Sequence, residues 1–129
     1  MKGTTLLQDV RRVCDLVESQ VNAASRLVVG IAGPPASGKS TLAEAVVSHL
    51  NRDEGGTGAS AALRPMDGYH LDNALLRTRG LLARKGAPET FDSRGFCDVV
   101  HRLQAKSEEM FFPSFDRKND IAIANSICV

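Results

Sequence analysis

The stretch Gly33-Pro34-Pro35-Ala36-Ser37-Gly38-Lys39-Ser40 decides the fold of this chain. It fits the pattern G-x-x-x-x-G-K-[S/T] in full. This pattern lies between a strand and a helix, and the flanking residues fit both elements. Residues 27–32 form a short apolar run, typical of a strand buried in a parallel sheet. Apolar residues then recur at helical spacing and end near Asn51. We therefore predict a strand, this glycine-rich loop and a helix over residues 27–51.

Such a loop is suited to holding phosphate. Its glycines let the backbone wrap closely, so that successive N–H groups and the helix N-terminus point at one phosphate group. Lys39 would reach the β- and γ-phosphates of a nucleotide, and the Ser40 hydroxyl would ligate Mg²⁺. The alternative is a glycine-rich turn with a surface lysine, which the complete motif disfavours. The expected nucleotide-binding residues are Gly33, Pro34, Pro35, Ala36, Ser37, Gly38, Lys39, Ser40 and Thr41.

Composition narrows the class of protein. The chain has 129 residues, 16 basic and 15 acidic side chains and a net charge of +1, which suggests one domain and no nucleic-acid partner. No apolar run is long enough to cross a bilayer, and no secretory signal is visible. Three cysteines, widely spaced and without a C-x-x-C pair, indicate neither disulfides nor zinc. We expect a cytoplasmic protein that does not bind membranes.

Other segments carry weaker structural signals. Apolar spacing of three and four residues, with Thr5 and Gln8 as a capping box, predicts an N-terminal helix within residues 1–24. A second strand is predicted over residues 61–66, and residues 76–90 look like a basic loop. A further helix follows with Ser93 as its predicted cap. Residues 121–129 predict a strand or hairpin arm.

An acidic residue follows the second predicted strand, in Pro65-Met66-Asp67-Gly68-Tyr69-His70. The carboxyl end of a parallel strand is where open α/β sheets bind ligands. Asp67 could there take the proton of an acceptor hydroxyl, with Tyr69 and His70 facing the acceptor. An Asp-Gly pair is also typical of an ordinary turn, and both interpretations stay open.

Two further features bear on the class of nucleotide-binding protein and on the acceptor. The base-reading signature N-K-x-D of GTPases is absent, because Lys118-Asn119-Asp120 has the wrong order. A basic cluster, Arg77, Arg79, Arg84 and Lys85, could bind a phosphorylated acceptor or stabilise charge at the γ-phosphate. Solvated loop charge explains it equally well.

Four segments together resemble the phosphoribulokinase/uridine kinase family of P-loop kinases: residues 33–41, 65–73, 79–92 and 113–117. Within that family the chain is most similar to bacterial nucleoside/nucleotide kinases and fructose-transport-system kinases, and pantothenate kinases share the architecture. The resemblance implies an α/β P-loop NTPase three-layer sandwich with a mainly parallel sheet. It also implies Asp67 and Lys39 as catalytic residues, with an acceptor pocket bordered by Tyr69, His70, Arg84, Lys85, Asp92 and Asp116.

The resemblance sets the functional expectation. It implies an ATP-dependent kinase that phosphorylates a hydroxyl of a small polyhydroxylated metabolite, and carboxylates such as Asp92 and Asp116 could accept hydrogen bonds from vicinal hydroxyls. Relatives of this type continue into a further buried strand with an acidic-glycine pair and an arginine lid, so we expect a partial kinase domain over residues 1–129, incomplete at its C-terminus. The alternative is a catalytically impaired nucleotide-binding remnant or regulatory module. A homodimer is left open.

Overall fold

The computed structural model describes residues 5–21, 26–52, 60–105 and 109–129. The chain divides into two compact units, Met1–Leu63 and Arg64–Val129, and each is described separately below. The single-domain assignment stays a prediction. No helix of the described residues is both long and apolar enough to cross a bilayer.

Two helices make up the described core of the N-terminal unit. Helix α1, Leu6–Gln20, begins at the predicted capping box: Thr5 Oγ1 accepts from Gln8 N at 3.4 Å, and Gln8 Oε1 accepts from Thr5 N at 3.1 Å. Helix α2, Lys39–Arg52, begins within the glycine-rich loop and extends one residue past the predicted end. Val10 and Cys14 of α1 pack with Val46 of α2 in a small apolar core.

The two strands predicted in a parallel sheet are not formed in the described chain. Residues 26–33 and 60–65 form neither helix nor strand and do not belong to the described sheet. A strand needs a ladder of backbone hydrogen bonds to a partner, and here the side chains of Leu27 and Val29 are 37% and 47% exposed. The sheet that is observed has two antiparallel strands. Helices together with this sheet fit the α/β class, which is coarser than the predicted three-layer sandwich.

The C-terminal unit is built around a hairpin. Strand β1, Phe111–Asp116, pairs with strand β2, Ile121–Cys128, and a bulge falls between Phe112 and Ser114. Pro113, which lacks a backbone N–H, lies at this irregularity. The prediction of a hairpin arm near the C-terminus is therefore confirmed.

Short helices fill the segment that was predicted to be a loop. Helix α3, Asn73–Thr78, enters this segment, and 3₁₀ turns span Leu82–Arg84 and Pro88–Thr90 within it. A further 3₁₀ turn, Met66–Tyr69, precedes it. Helix α4 spans Ser93–Gln104. The loop prediction missed these turns because they are too short to show a hydrophobic period.

The cap of α4 also differs from its prediction. Asp92, not Ser93, is the N-cap, and its Oδ1 accepts from Gly95 N at 3.0 Å. Both residue types suit a cap, and the carboxylate one position earlier is the side chain that reaches the free N–H.

The core of the C-terminal unit joins α4 to the hairpin. Val99, Met110 and Phe112 are buried together. Tyr69 and Phe96 pack against them, with ring centroids 5.3 Å apart in an edge-to-face arrangement. The 3₁₀ turn that carries Asp67 is thus anchored through its neighbour Tyr69.

Gly68 limits how closely that turn can approach the hairpin. A Cβ at Gly68 would lie 2.6 Å from the carbonyl oxygen of Pro113 and 2.8 Å from its Cγ. We expect Gly68→Ala to lower the free energy of unfolding by about 1–3 kcal/mol, because the added methyl must displace the hairpin backbone. Urea unfolding followed by the fluorescence of Tyr69, the sole tyrosine in a chain without tryptophan, measures this.

Gly30→Ala is the control, because a Cβ there meets no heavy atom within 4 Å. Equal unfolding midpoints for the two variants would contradict the predicted clash.

Candidate functional site

The glycine-rich loop turns tightly before α2. Ala36 and Gly38 have φ values of 57° and 87°, so the backbone passes twice through the left-handed region. At Gly33 a Cβ would lie 3.0 Å from Ser37 Oγ, which shows how closely the two ends of the loop approach. Residues 33–38 are exposed. The loop therefore presents its backbone to solvent at the start of a helix.

Lys39 closes this loop. Its Nζ donates to the carbonyl oxygen of Pro34 at 2.7 Å, so the ammonium group lies beside the loop backbone. Ser40 and Thr41 follow in the first turn of α2, both exposed. The first N–H groups of a helix lack intrahelical acceptors and carry its positive end. A cation, two hydroxyls and free N–H donors at one point fit the phosphates of ATP.

The described residues offer few protein ligands for Mg²⁺. Within the described ranges, no group of three or more His, Cys, Asp or Glu side chains is arranged to hold a metal ion. Mg²⁺ usually keeps several waters and binds through few protein ligands plus substrate phosphates. Ser40 fits the role of such a single ligand beside a nucleotide.

Asp67 belongs to the C-terminal unit. Its Oδ2 accepts from Arg117 Nη2 at 2.9 Å, and its side chain is 39% exposed. Oδ1 makes no hydrogen bond with any other residue that the structure describes. One oxygen is thus held by a guanidinium while the other can accept a proton.

A cavity of about 560 Å³ lies in the same unit. Its lining residues are His70, Asn73, Arg77, Leu82, Lys85, Phe115 and Asp120. The His70 ring contacts the rings of Phe91 and Phe115, at centroid distances of 4.0 and 5.1 Å. His70 Nδ1 lies 2.7 Å from the carbonyl oxygen of Asp67, so the cavity is joined directly to the turn that carries this acid.

Lys85 organises one side of the cavity. Its side chain is only 15% exposed, and its Nζ donates to Asn73 Oδ1 at 2.8 Å, Asp120 Oδ1 at 2.9 Å and Asp120 O at 3.1 Å. Asn73 Nδ2 donates to Asp120 Oδ2 at 3.1 Å. The hydrogen bonds from Lys85 and Asn73 lower the pKa of Asp120. Three separate segments therefore meet at one ammonium group.

Two other predicted acceptor residues lie in structural positions. Tyr69 packs on Phe96 in the core, where burial raises the pKa of its hydroxyl. Asp92 caps α4, and its backbone N–H donates to Tyr69 O at 2.7 Å. Neither residue lines the cavity. Their acceptor roles remain predictions.

Arg84 and Asp116 also lie off the cavity lining. Arg84 pairs with Glu89 at 2.7 Å on the surface. The Asp116 carboxylate accepts from Asn119 Nδ2 at 2.7 Å, from Lys118 N at 2.9 Å and from Asn119 N at 3.1 Å. The bonds from Asn119 lower the pKa of Asp116. Of the six predicted acceptor residues, the cavity brings together His70 and Lys85.

The sequence did not single out four of the cavity residues as site residues: Asn73, Leu82, Phe115 and Asp120. The sequence did indicate a binding role for Arg77, since it belongs to the basic cluster. Asp120 had none, because it meets Lys85 from 35 residues away through the hairpin turn.

Known proteins resemble this chain over most of its length, although no family model matches it. A pantothenate kinase from Leifsonia xyli subsp. xyli is 36% identical over 92 residues, which are 71% of this chain and 28% of that protein. A Schizosaccharomyces pombe protein named "Putative uridine kinase" is 31% identical over 123 residues, covering 92% of this chain and 50% of its own length.

One solved structure is similar as well. A crystal structure described as a "putative fructose transport system kinase" from Silicibacter sp. TM1040 superposes with a TM-score of 0.83 at 43% identity, covering 98% of this chain and 58% of that one. The chain thus spans between 28% and 58% of these three proteins. These similarities support the resemblance to uridine kinase-like P-loop kinases that the motifs indicated.

The lowered pKa values of Asp116 and Asp120 predict a pH dependence of stability. Their charged forms are favoured in the folded state, so their contribution is complete above the ordinary value of 3.8 and is lost as pH falls through the lower folded values. We expect the free energy of unfolding to decline as pH falls below about 4, and to decline less in Asp116→Asn/Asp120→Asn. Urea unfolding at several pH values measures both slopes.

Asp98→Asn is the control, because this exposed carboxylate on α4 makes no hydrogen bond with the described residues. The prediction is wrong if the double variant keeps the parent slope.

Proposed function

We propose that the chain is an ATP-dependent kinase that transfers the γ-phosphate to a hydroxyl of a small polyhydroxylated metabolite. The observation that carries this proposal is the similarity, over 98% of the chain, to a protein described as a kinase. Two local features support the proposal: the donors of the glycine-rich loop suit phosphate, and the Asp67 carboxylate can accept a proton.

The reaction is a displacement at phosphorus. The acceptor oxygen forms a bond to the γ-phosphorus, the bond from that phosphorus to the β–γ bridging oxygen breaks, and ADP leaves with the electron pair. The acceptor proton passes to Asp67 Oδ1. Lys39 and the N–H groups of the loop hold the phosphates and offset their negative charge. Mg²⁺ beside Ser40 would neutralise charge on the nucleotide phosphates.

Arg117 orients the proposed base. Its bond to Asp67 Oδ2 fixes the carboxylate while Oδ1 is left for the acceptor hydroxyl. A positioned base contributes to the rate only when it lies within hydrogen-bond reach of the proton that it takes. We therefore assign Arg117 as a positioning residue.

The names of the relatives point to pantothenate, a nucleoside or a sugar as the acceptor. The three cysteines are free thiols, which suits a reducing cytoplasm. The homodimer stays a prediction.

Asp67→Asn tests the base. We expect ATP affinity to be unchanged and kcat to fall by about 10²–10⁴-fold, because the amide cannot take the acceptor proton. A coupled ADP-release assay with uridine, ribose, fructose and pantothenate measures kcat, and calorimetry measures ATP affinity. Asp98→Asn is the matched control and should keep the parent rate.

If ATP binds while every acceptor leaves ADP release at the buffer rate, and Asp67→Asn changes nothing, the kinase proposal fails. The chain is then a nucleotide-binding module.

Lys39→Met tests the nucleotide site. Loss of a charge-assisted hydrogen bond, worth about 1.5–3 kcal/mol, should raise the Kd for ATP by roughly 10- to 100-fold. Arg52→Met removes one cation from the other end of α2 and should leave that Kd unchanged. Equal effects of the two variants would mean that Lys39 acts only through overall charge.

A further inference from the structure

Resting on the kinase function proposed above, we propose that Asp120 is a positioning residue for the reaction. Its contacts with Lys85 and Asn73 hold the turn between β1 and β2, and that turn carries Arg117. The side chain of Arg117 is 77% exposed, and among the described residues its one hydrogen-bond partner is Asp67, at 2.9 Å. With so much of the side chain in solvent, the guanidinium group is placed mainly by the turn backbone.

Apolar packing anchors the hairpin at the end away from this turn. Phe112 of β1 is buried in the core of the C-terminal unit, and Ile127 of β2 packs against that core. The turn itself, Arg117-Lys118-Asn119-Asp120, has no apolar side chain and is exposed. An isolated two-stranded hairpin is only marginally stable in water. The position of the turn therefore depends on polar contacts with other segments.

Asp120 supplies these polar contacts, because each of its oxygen atoms accepts a hydrogen bond. Oδ1 accepts from Lys85 Nζ at 2.9 Å, and Oδ2 accepts from Asn73 Nδ2 at 3.1 Å. The carbonyl oxygen accepts from both side chains, at 3.1 and 3.3 Å. Asn73 is the first residue of α3, which is anchored by the fully buried Leu76. The turn is thus attached to a fixed helix.

Direct contact with the acceptor is the alternative role for Asp120, since this residue lines the cavity. An acceptor hydroxyl that displaced Lys85 would leave a largely buried ammonium group without its carboxylate, which is strongly destabilising. The carboxylate of Asp120 therefore acts on the protein and not on the acceptor.

Hydrogen bonds within the turn carry the effect from Asp120 to Arg117. The Asp116 carboxylate accepts from the backbone N–H groups of Lys118 and Asn119, and Asp116 pairs with Ile121 across the hairpin. A four-residue turn closed in this way moves as one piece, so loss of the Asp120 contacts displaces the guanidinium group as well. A misplacement of about 1 Å in a catalytic arrangement can cost roughly 100-fold in rate.

A double-mutant cycle in the full chain tests the proposal. We expect Asp120→Ala to lower kcat about 10- to 100-fold with the Kd for ATP unchanged, and Arg117→Met to lower kcat by a similar factor. In the Arg117→Met background, Asp120→Ala should lower kcat less than twofold, because the group that it positions is already absent. The ADP-release assay with the most active acceptor measures kcat, and calorimetry measures the Kd.

Two variants act as controls. Lys118→Met removes a cation from the same turn, and since this side chain forms no ion pair with the described residues, the parent kcat is expected. Lys85→Met/Asp120→Ala breaks the same contact without leaving a buried charge unpaired, and should match Asp120→Ala. If Asp120→Ala fails to fold, this pair takes its place in the cycle.

An unchanged kcat in Asp120→Ala overturns the proposal. So do equal losses of kcat in the parent and Arg117→Met backgrounds, because a general loss of structure or of an acceptor contact would act in both.

Rotation of the Arg117 guanidinium group, measured by nitrogen NMR, gives a readout that needs no turnover. We expect slow rotation in the parent and in Lys118→Met, and faster rotation in Asp120→Ala and in Asp67→Asn, which removes the charged partner. If rotation is the same in the parent and Asp120→Ala, the positioning role fails even where the kinase stands. If no acceptor gives ADP release but rotation changes as expected, the kinase proposal fails while the link from Asp120 to Arg117 stands.

Discussion

The ammonium group of Lys85 holds the C-terminal unit together at the cavity. A cation with 15% of its side chain exposed has lost most of its water, so it must find protein partners for its charge and its three donors. It finds them on α3, at Asn73, and on the hairpin turn, at Asp120. The position of the cavity follows from this contact, because the three segments that meet at Lys85 also form its wall.

The hairpin turn contacts both Asp67 and the cavity lining. Asp116 holds the turn through bonds from Lys118 and Asn119. Arg117 at its start reaches Asp67, and Asp120 at its end reaches Lys85. A four-residue turn thus connects the proposed base to the cavity lining. We expect that a change in the turn would alter the environments of Asp67 and of the cavity lining together.

Local features of this chain could be predicted from the sequence, and long-range features could not. The Thr5 capping box and the start of α2 depend on residues a few positions apart, so both could be recognised in the sequence. The strand over residues 27–32 was predicted from apolar composition, but a strand forms only when another backbone pairs with it.

The candidate site shows the same division. The motif predicted roles for Lys39 and the loop around it, and the resemblance predicted roles for Asp67, His70 and Lys85. The role of Asp120 could not be predicted, because its partner Lys85 lies 35 residues away in the sequence. Asp92 and Asp116 had the residue type expected of acceptor ligands, yet their carboxylates bond to nearby backbone and side-chain donors of the same unit.

The absence of a side chain at Gly68 has a consequence for exchanging parts between relatives. Because the turn beside Asp67 lies against the backbone of Pro113, neither piece can change shape alone. A chimera meant to transfer acceptor preference should therefore exchange the segment from the 3₁₀ turn to α4 and the hairpin as one block. If cavity residues were exchanged one at a time, the original contact between Gly68 and Pro113 would still determine the positions of the introduced side chains.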